Sequence, residues 1–114
     1  QLAVKVNPAE IEQVILNLVN NAAQALANSG KLQRVITIEA ISSGVSAHLT
    51  VSDNGTGVHH EFKPHLFELL SSTRQAGMGL GLWLCKHIVT RNGGSIHYEE
   101  AHGEGAKFVV KFPR

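Results

Sequence analysis

The stretch NPAEIEQVILNLVNNAAQALANSG, residues 7–30, decides the fold. Asn7-Pro8-Ala9-Glu10 supplies an N-cap, a proline at the first helical position and a glutamate three residues beyond the cap, which together predict a helix start closed by a capping box. Ile11, Val14, Ile15, Leu18, Val19, Ala22, Ala25 and Leu26 then recur with the helical period, and Asn28-Ser29-Gly30 stops the run. A long helix therefore lays one face on a core. On a helical wheel that apolar face centres near Ala22, Asn17 and Asn21 share one flank of it, and Asn20 lies nearly opposite.

Working outward, Leu2 to Val6 alternate apolar and polar residues as a short strand before the helix. After it, Arg34 to Ile41 and Val45 to Ser52 read as two strands joined across Ser42-Ser43-Gly44. Val45, Ala47, Leu49 and Val51 share a face, and period two places Asp53 next in the same row. An acid thus ends an apolar row. Beyond the loop Asn54-Gly55-Thr56-Gly57, a short helix is expected over Lys63 to Leu70 and an irregular stretch over Ser71 to Met78. A second strong helix begins near Gly79 to Gly81, carries Leu82, Leu84, Ile88 and Val89, and stops at Asn92-Gly93-Gly94. Strands Ser95 to Glu99 and Lys107 to Phe112 flank a Gly103-Glu104-Gly105 turn. This order predicts a two-layer α/β (α+β) sandwich, with a mixed, mostly antiparallel sheet and helices packed on one face.

The composition narrows the function. With 114 residues, 10 Lys+Arg and 9 Asp+Glu, the chain carries a formal charge of +1 and has room for one domain. No basic stripe is present, so nucleic acid is not an expected partner, and any bound anion must be held locally. At 43% hydrophobic and 17% charged residues the chain is neither a disordered tail nor a membrane span, and no direct membrane contact is expected. Cys85 is the only cysteine, which excludes an internal disulfide and multi-cysteine zinc frameworks. No charged-then-apolar leader pattern opens the chain, so a cytoplasmic location is expected. The seven histidines show no metal-ligand spacing.

Three constellations carry possible chemistry, and each has an ordinary reading beside it. Asn17 and Asn21 are either polar boundary residues or amide oxygens suited to Mg²⁺, which prefers oxygen ligands and keeps waters and phosphates in its shell. Asp53-Asn54-Gly55-Thr56-Gly57 is either turn chemistry or a carboxylate set to accept from a purine amine, with glycines that let a flat ligand approach. Gly77-Met78-Gly79-Leu80-Gly81-Leu82 is either a glycine-rich helix entry or a phosphate site built from free N–H groups at a helix N-terminus. No Gly-Lys-Ser/Thr marks a P-loop, and the segment before Gly77 does not read as the strand a dinucleotide fingerprint requires.

In order and spacing, these three segments resemble the ATP-binding catalytic domain of bacterial sensor histidine kinases, within the wider superfamily of gyrase, Hsp90 and MutL ATPase domains. Asn17-Leu18-Val19-Asn20-Asn21-Ala22 looks like the N box, Asp53-Asn54-Gly55-Thr56-Gly57 like the G1 box, and Leu66-Phe67-Glu68 like the F box. Gly77 to Leu82, with Asn92-Gly93-Gly94 downstream, resembles the G2 box and its helix. The resemblance covers nearly the whole chain and implies a Bergerat-type ATP-binding fold over residues 1–114, with the usual first strand and the dimerisation and phosphoacceptor domain expected before Gln1.

The resemblance also implies roles. Asn21 would hold the Mg²⁺ that bridges the ATP phosphates, and Asp53 would accept from the adenine amine, with Gly55 and Gly57 giving the ring room. Asn17, counted among the catalytic and nucleotide-binding residues, falls where gyrase-type ATPases place a water-activating glutamate. An amide cannot take that proton, which favours holding ATP for transfer over hydrolysis. Ser71 to Met78 would be a short ATP lid, with Thr73 and Gly77 touching nucleotide and Arg74 reaching the γ-phosphate as a catalytic cation. Gly79 and Gly81 would give the phosphates room, with Leu80 and Leu82 packed beside them.

Several positions depart from the pattern. Phe67-Glu68-Leu69-Leu70 replaces Phe-x-Pro-Phe, Ser72-Thr73-Arg74 replaces Thr-Thr-Lys, and Gln24 stands where many members carry Lys or Arg. None of the seven histidines lies in a phosphoacceptor setting, and Trp83 and Cys85 are expected to pack the last helix. The implied activity is a protein-histidine kinase catalytic fragment. It would bind Mg-ATP and donate the γ-phosphoryl group to a histidine on the dimerisation domain, with a response regulator downstream. A degenerate nucleotide-binding signalling module and a gyrase- or MutL-type ATPase are the alternatives.

Overall fold

α1 (Pro8–Ala27) begins where the capping pattern predicts, in a computed structural model that describes residues 6–27, 29–58, 60–68, 78–100 and 105–113. Asn7 Oδ1 accepts from Glu10 N at 3.2 Å, so the cap forms. The other half of the expected capping box does not. Asn7 N donates to Asn92 Oδ1 at 2.9 Å, and the Glu10 carboxylate instead accepts from Asn92 Nδ2 at 2.9 Å and pairs with Arg91. A partner from the far end of the chain thus replaces the local one. Val14, Leu18, Ala22 and Leu26 are buried, as the apolar period requires.

β1 (Ile36–Ser43) and β2 (Ser46–Asp53) form an antiparallel hairpin whose loop is Gly44-Val45, two residues further on than Ser42-Ser43-Gly44 would put it at its start. Gly44 has φ +49°, which suits a two-residue loop, and Val45 is left 82% exposed, outside the core row it was expected to join. β1 also starts two residues later than Arg34. Val35 N donates to Asn54 Oδ1 at 2.8 Å, Val35 O accepts from Asn54 N at 3.2 Å, and Asn54 Nδ2 donates to Gln33 O at 3.0 Å. The Asn54 side chain takes the groups that a longer strand would have used.

A 3-10 helix covers His60–His65 where an α-helix over Lys63 to Leu70 was expected. Pro64 disfavours α geometry at Lys63, and Glu68 N donates to His65 O at 3.1 Å, turning the chain. Leu69 and Leu70 lie outside the described residues, as does the expected strand from Leu2 apart from Val6, which packs against the core.

α2 (Met78–Arg91) ends in a Schellman cap. Gly94 N donates to Val89 O at 2.9 Å and Gly93 N to Thr90 O at 3.0 Å, with Gly93 at φ +84°. β3 (Ser95–Glu100) and β4 (Ala106–Pro113) complete a sheet of order β1-β2-β4-β3, antiparallel in all three described pairings. α1 and α2 pack on one face of it. Val51, Ile96, Phe108, Val110 and Phe112 meet Val14, Leu18, Leu82, Cys85, Ile88 and Val89 between the layers. Truncating a residue such as Leu18, fully buried here, costs about 2–5 kcal/mol in comparable cores. Trp83 departs from expectation: it lies off the buried row of Leu82, Cys85 and Val89 and stacks on His87 at 5.5 Å instead.

Candidate functional site

The flank of α1 and the start of α2 enclose a cavity of about 510 Å³. Asn17, Asn21, Gly81 and Leu82, four of the residues singled out in the sequence, line it together, and Gln24 and Ala27 extend it toward the C-terminal end of α1. Asn20 and Ala23 also line it. The helical wheel gave no reason to include Asn20, because its position opposite the core matches that of any solvent-facing residue; only the groove around the outer side of α1 brings it in.

Two carboxamides one turn apart present oxygens of the kind Mg²⁺ takes, and the one at Asn17 is engaged by Gln13, one turn earlier on α1. Asn17 Oδ1 accepts from Gln13 Nε2 at 3.1 Å, while its Nδ2 is buried and reaches no hydrogen-bond partner among the described residues. Cys85, on α2, is fully buried, and its thiol donates to Val14 O at 3.7 Å. Burial pushes that thiol up to about 11.

Asp53 ends the core-facing row of β2 and is 7% exposed. Its Oδ1 accepts from Gly55 N at 2.8 Å, which turns the carboxylate back over the loop. Gly55 faces Leu26 and the Ala25 carbonyl, so the loop abuts the C-terminal end of α1; a Cβ there would lie 3.0 Å from Asp53 Oδ1. Gly57 lies against the Gly105 carbonyl. Gly105 was read only as a turn residue, yet a Cβ at that position would overlap the Asp53 carbonyl oxygen, and its φ is +105°. Glycine there lets the start of β4 close on the Asp53 loop; the one signal in the sequence was Gly-Glu-Gly immediately before a strand.

α2 starts at Met78, one residue before the expected glycines, so Gly79, Leu80 and Gly81 occupy its first turn, where backbone N–H groups lack intrahelical acceptors. Gly81 and Leu82 bring that turn to the cavity wall. Thr73, Arg74 and Gly77 lie outside the described residues, together with the expected lid up to Gly77. Within the F-box segment, Leu66 is buried and Phe67 meets Phe108 edge-on at 6.1 Å. Of the histidines, His48 and His97 sit on strands, His65 pairs with Glu68 at 2.9 Å, and no metal-binding group of side chains occurs among the described residues. Among those residues, no helix is long and apolar enough to cross a membrane.

Comparisons with known proteins bear on the family and the fold. Residues 6–114 match the family model of histidine kinase-, DNA gyrase B- and HSP90-like ATPases. Sporulation kinase D of Bacillus subtilis is 37% identical over 112 residues, which cover 98% of this chain and 21% of the relative, so the chain spans about a fifth of that protein. The catalytic domain of histidine kinase ThkA superposes with a TM-score of 0.81 at 28% identity, over 96% of this chain and 71% of that one. ThkA in complex with the response regulator protein TrrA matches at a TM-score of 0.76 and 26% identity, over 99% of this chain and 31% of that one. With two helices on an open antiparallel sheet and a family match over nearly its whole length, the chain belongs to the histidine kinase-, DNA gyrase B- and HSP90-like ATPase family.

Proposed function

We propose that this chain is the catalytic ATP-binding unit of a sensor histidine kinase, which binds Mg-ATP in the α1–α2 cavity and presents its γ-phosphoryl group to a histidine on a dimerisation domain elsewhere in the protein. The observation that carries the reading is the line of groups along α1. The Asp53 loop abuts the helix at Ala25 and Leu26, Asn21 lies one turn earlier, about 6 Å along the axis, and Asn17 one turn before that.

Adenine belongs at the Asp53 end, where the carboxylate oxygen not engaged by Gly55 accepts from the exocyclic amine and rejects guanine, which has a carbonyl at that position. Phosphates belong at the Asn21 end, facing the first turn of α2, where free N–H groups and the helix dipole favour negative charge. The donor set fits magnesium: carboxamide oxygens with room for waters and phosphates, and no soft ligand open to the cavity. Bound there, Mg²⁺ would neutralise charge on the phosphates. Asn21 would hold it and Asn17 would offer an oxygen without acting as a base; Thr73 and Arg74, outside the described residues, are assigned to the phosphates. Gly79 lies in the first turn of α2, where backbone N–H groups are free, and Leu82 lines the cavity; Gly77 and Leu80 are assigned to the nucleotide beside them. In the transfer, the bond from the γ-phosphorus to its bridging oxygen breaks toward ADP and a bond to an imidazole nitrogen forms, a process that rests mainly on positioning. A response regulator then takes the phosphoryl group, and the unit works on the cytoplasmic side.

The test is calorimetric titration with ATP and GTP, with and without Mg²⁺, followed by transfer of labelled phosphate to a supplied phosphoacceptor domain. Asp53→Asn is expected to lower ATP affinity by about 10- to 100-fold, the cost of a lost hydrogen bond to a charged group. Unchanged affinity would remove the adenine assignment. Asn21→Ala is expected to abolish transfer; transfer that persists would show that Asn21 is not the metal ligand. Binding without transfer in the wild-type chain would support the degenerate signalling module, and rapid hydrolysis by the chain alone would support the gyrase-type ATPase.

A further inference from the structure

Every polar side chain that α1 gives to the cavity is a carboxamide. Asn17, Asn20, Asn21 and Gln24 line it, and among the described residues no charged side chain does. Spaced i, i+3, i+4 and i+7, the four form a diamond on one flank of the helix, with Asn17 at one tip, Asn20 and Asn21 side by side, and Gln24 at the other. The tips stand about 10 Å apart along the axis. Contact between such neighbours is seen one turn earlier, where Gln13 Nε2 donates to Asn17 Oδ1 at 3.1 Å. Asn20 and Gln24 are exposed and make no side-chain hydrogen bond among the described residues, so their donors are open to a ligand. The proposed transfer gives neither of them a part.

We propose that Asn20 and Gln24 bind the phosphate chain of the nucleotide through their amide N–H groups, so that the α1 wall recognises phosphate without carrying charge. The proposal rests on reading the cavity as the Mg-ATP site. Phosphate oxygens only accept, each carboxamide offers two donors, and hydrogen bonds to a charged acceptor are the stronger kind. Gln24 stands between Asn21 and the point where the Asp53 loop abuts α1 at Ala25 and Leu26, so it meets the part of the chain nearer the ribose. Asn20, next to Asn21, meets the part nearer the cation. The neutrality of the wall affects specificity. A lysine there would add Coulomb attraction that grows with the number of phosphate charges and fades with salt. Carboxamides add hydrogen bonds and leave the charge to be matched elsewhere in the site.

The experiment titrates the chain calorimetrically with Mg-ATP and with adenosine, at low and high salt, comparing wild type with Asn20→Ala, Gln24→Ala, Gln24→Glu and Gln24→Lys. Both residues are exposed, and thermal melts check that each variant is folded. Each alanine variant is expected to weaken Mg-ATP binding about three- to tenfold and to leave adenosine within about twofold of wild type. Gln24→Glu, which keeps the shape and adds a negative charge, is expected to weaken Mg-ATP more than alanine does. Gln24→Lys is expected to strengthen it at low salt, with the gain fading at high salt. Wild-type affinity for Mg-ATP in either alanine variant would overturn the proposal, as would equal losses for Mg-ATP and adenosine.

A second readout needs no adenine. In the wild-type chain, the side-chain amide resonances of Asn20 and Gln24 are expected to shift on addition of magnesium tripolyphosphate and to stay in place on addition of adenosine. Resonances that tripolyphosphate leaves unmoved would overturn the proposal. The two readings fail separately. Tripolyphosphate bound through these amides, with no preference for ATP over GTP, would remove the adenine assignment and support the phosphate wall; ATP bound with these amides unmoved would support the nucleotide site and remove Asn20 and Gln24 from it.

Discussion

Asp53 illustrates how a single residue depends on neighbours far away in the chain. Its carboxylate is set by Gly55, one residue past Asn54, but its carbonyl is set by Gly105, which closes on it from the start of β4. Gly105→Ala introduces both an overlap with that carbonyl and a side chain at φ +105°, and is expected to destabilise the fold by about 2 kcal/mol or more. Urea denaturation checks the stability, and ATP titration checks the expected loss of affinity as the Asp53 loop is pushed away. Stability within error of wild type would show that the loop yields freely. The Asp53 row was legible because strand period two is strict; Gly105 was not, because a glycine that admits another backbone looks in sequence like one that merely turns a chain. Asn54 is similar. Asp-Asn-Gly reads as turn chemistry, and nothing local indicates that the amide will reach across to Gln33 and Val35.

At the level of elements, the two helices were legible from their period and stops, and their mutual fastening was not. Asn92 was read as a helix stop, yet its side chain accepts from Asn7 N and donates to Glu10 and to Ile88 O, so the last turn of α2 caps the first turn of α1. A capping box is a local pattern, and a residue 82 positions away can outcompete it only once the fold has formed. Glu10 is the titratable part of this joint. The hydrogen bond from Asn92 is the largest influence holding its carboxyl below the usual range, with Arg91 adding to it against some desolvation. A carboxyl lowered in the folded state stabilises the fold above its unfolded pKa, and that contribution is lost as pH falls through the folded value. Glu10→Gln is therefore expected to unfold more readily than wild type near neutral pH, with the gap closing in acid below the carboxylate range. Thermal melts across that range measure it, and a gap that persists in strong acid would assign the effect to packing. The short helix was misplaced for a local reason: Pro64 disfavours α geometry at Lys63, the residue where the helix was expected to begin.

Across the whole molecule, the two-layer architecture followed from the order of periodic segments, because adjacent strand pairs leave little choice but antiparallel neighbours. Bringing the candidate site together took packing that no segment encodes alone: α1 supplies the carboxamides, α2 the helix start, β2 the acid, and β4 the glycine that seats the acid's loop. The strand order β1-β2-β4-β3 also places the last described strand inside the sheet, between two strands made earlier. During synthesis, a nascent chain that has emerged as far as Glu100 carries the segments of one hairpin, two helices and β3, with nothing to join the halves of the floor beneath the helices. Phe108, Val110 and Phe112 arrive last and join them. Their pairing with β2 joins residues far apart along the chain, so the slow, non-local stage of folding coincides with completion of the acid's loop. A growing polypeptide therefore holds the parts of the site well before it has the site.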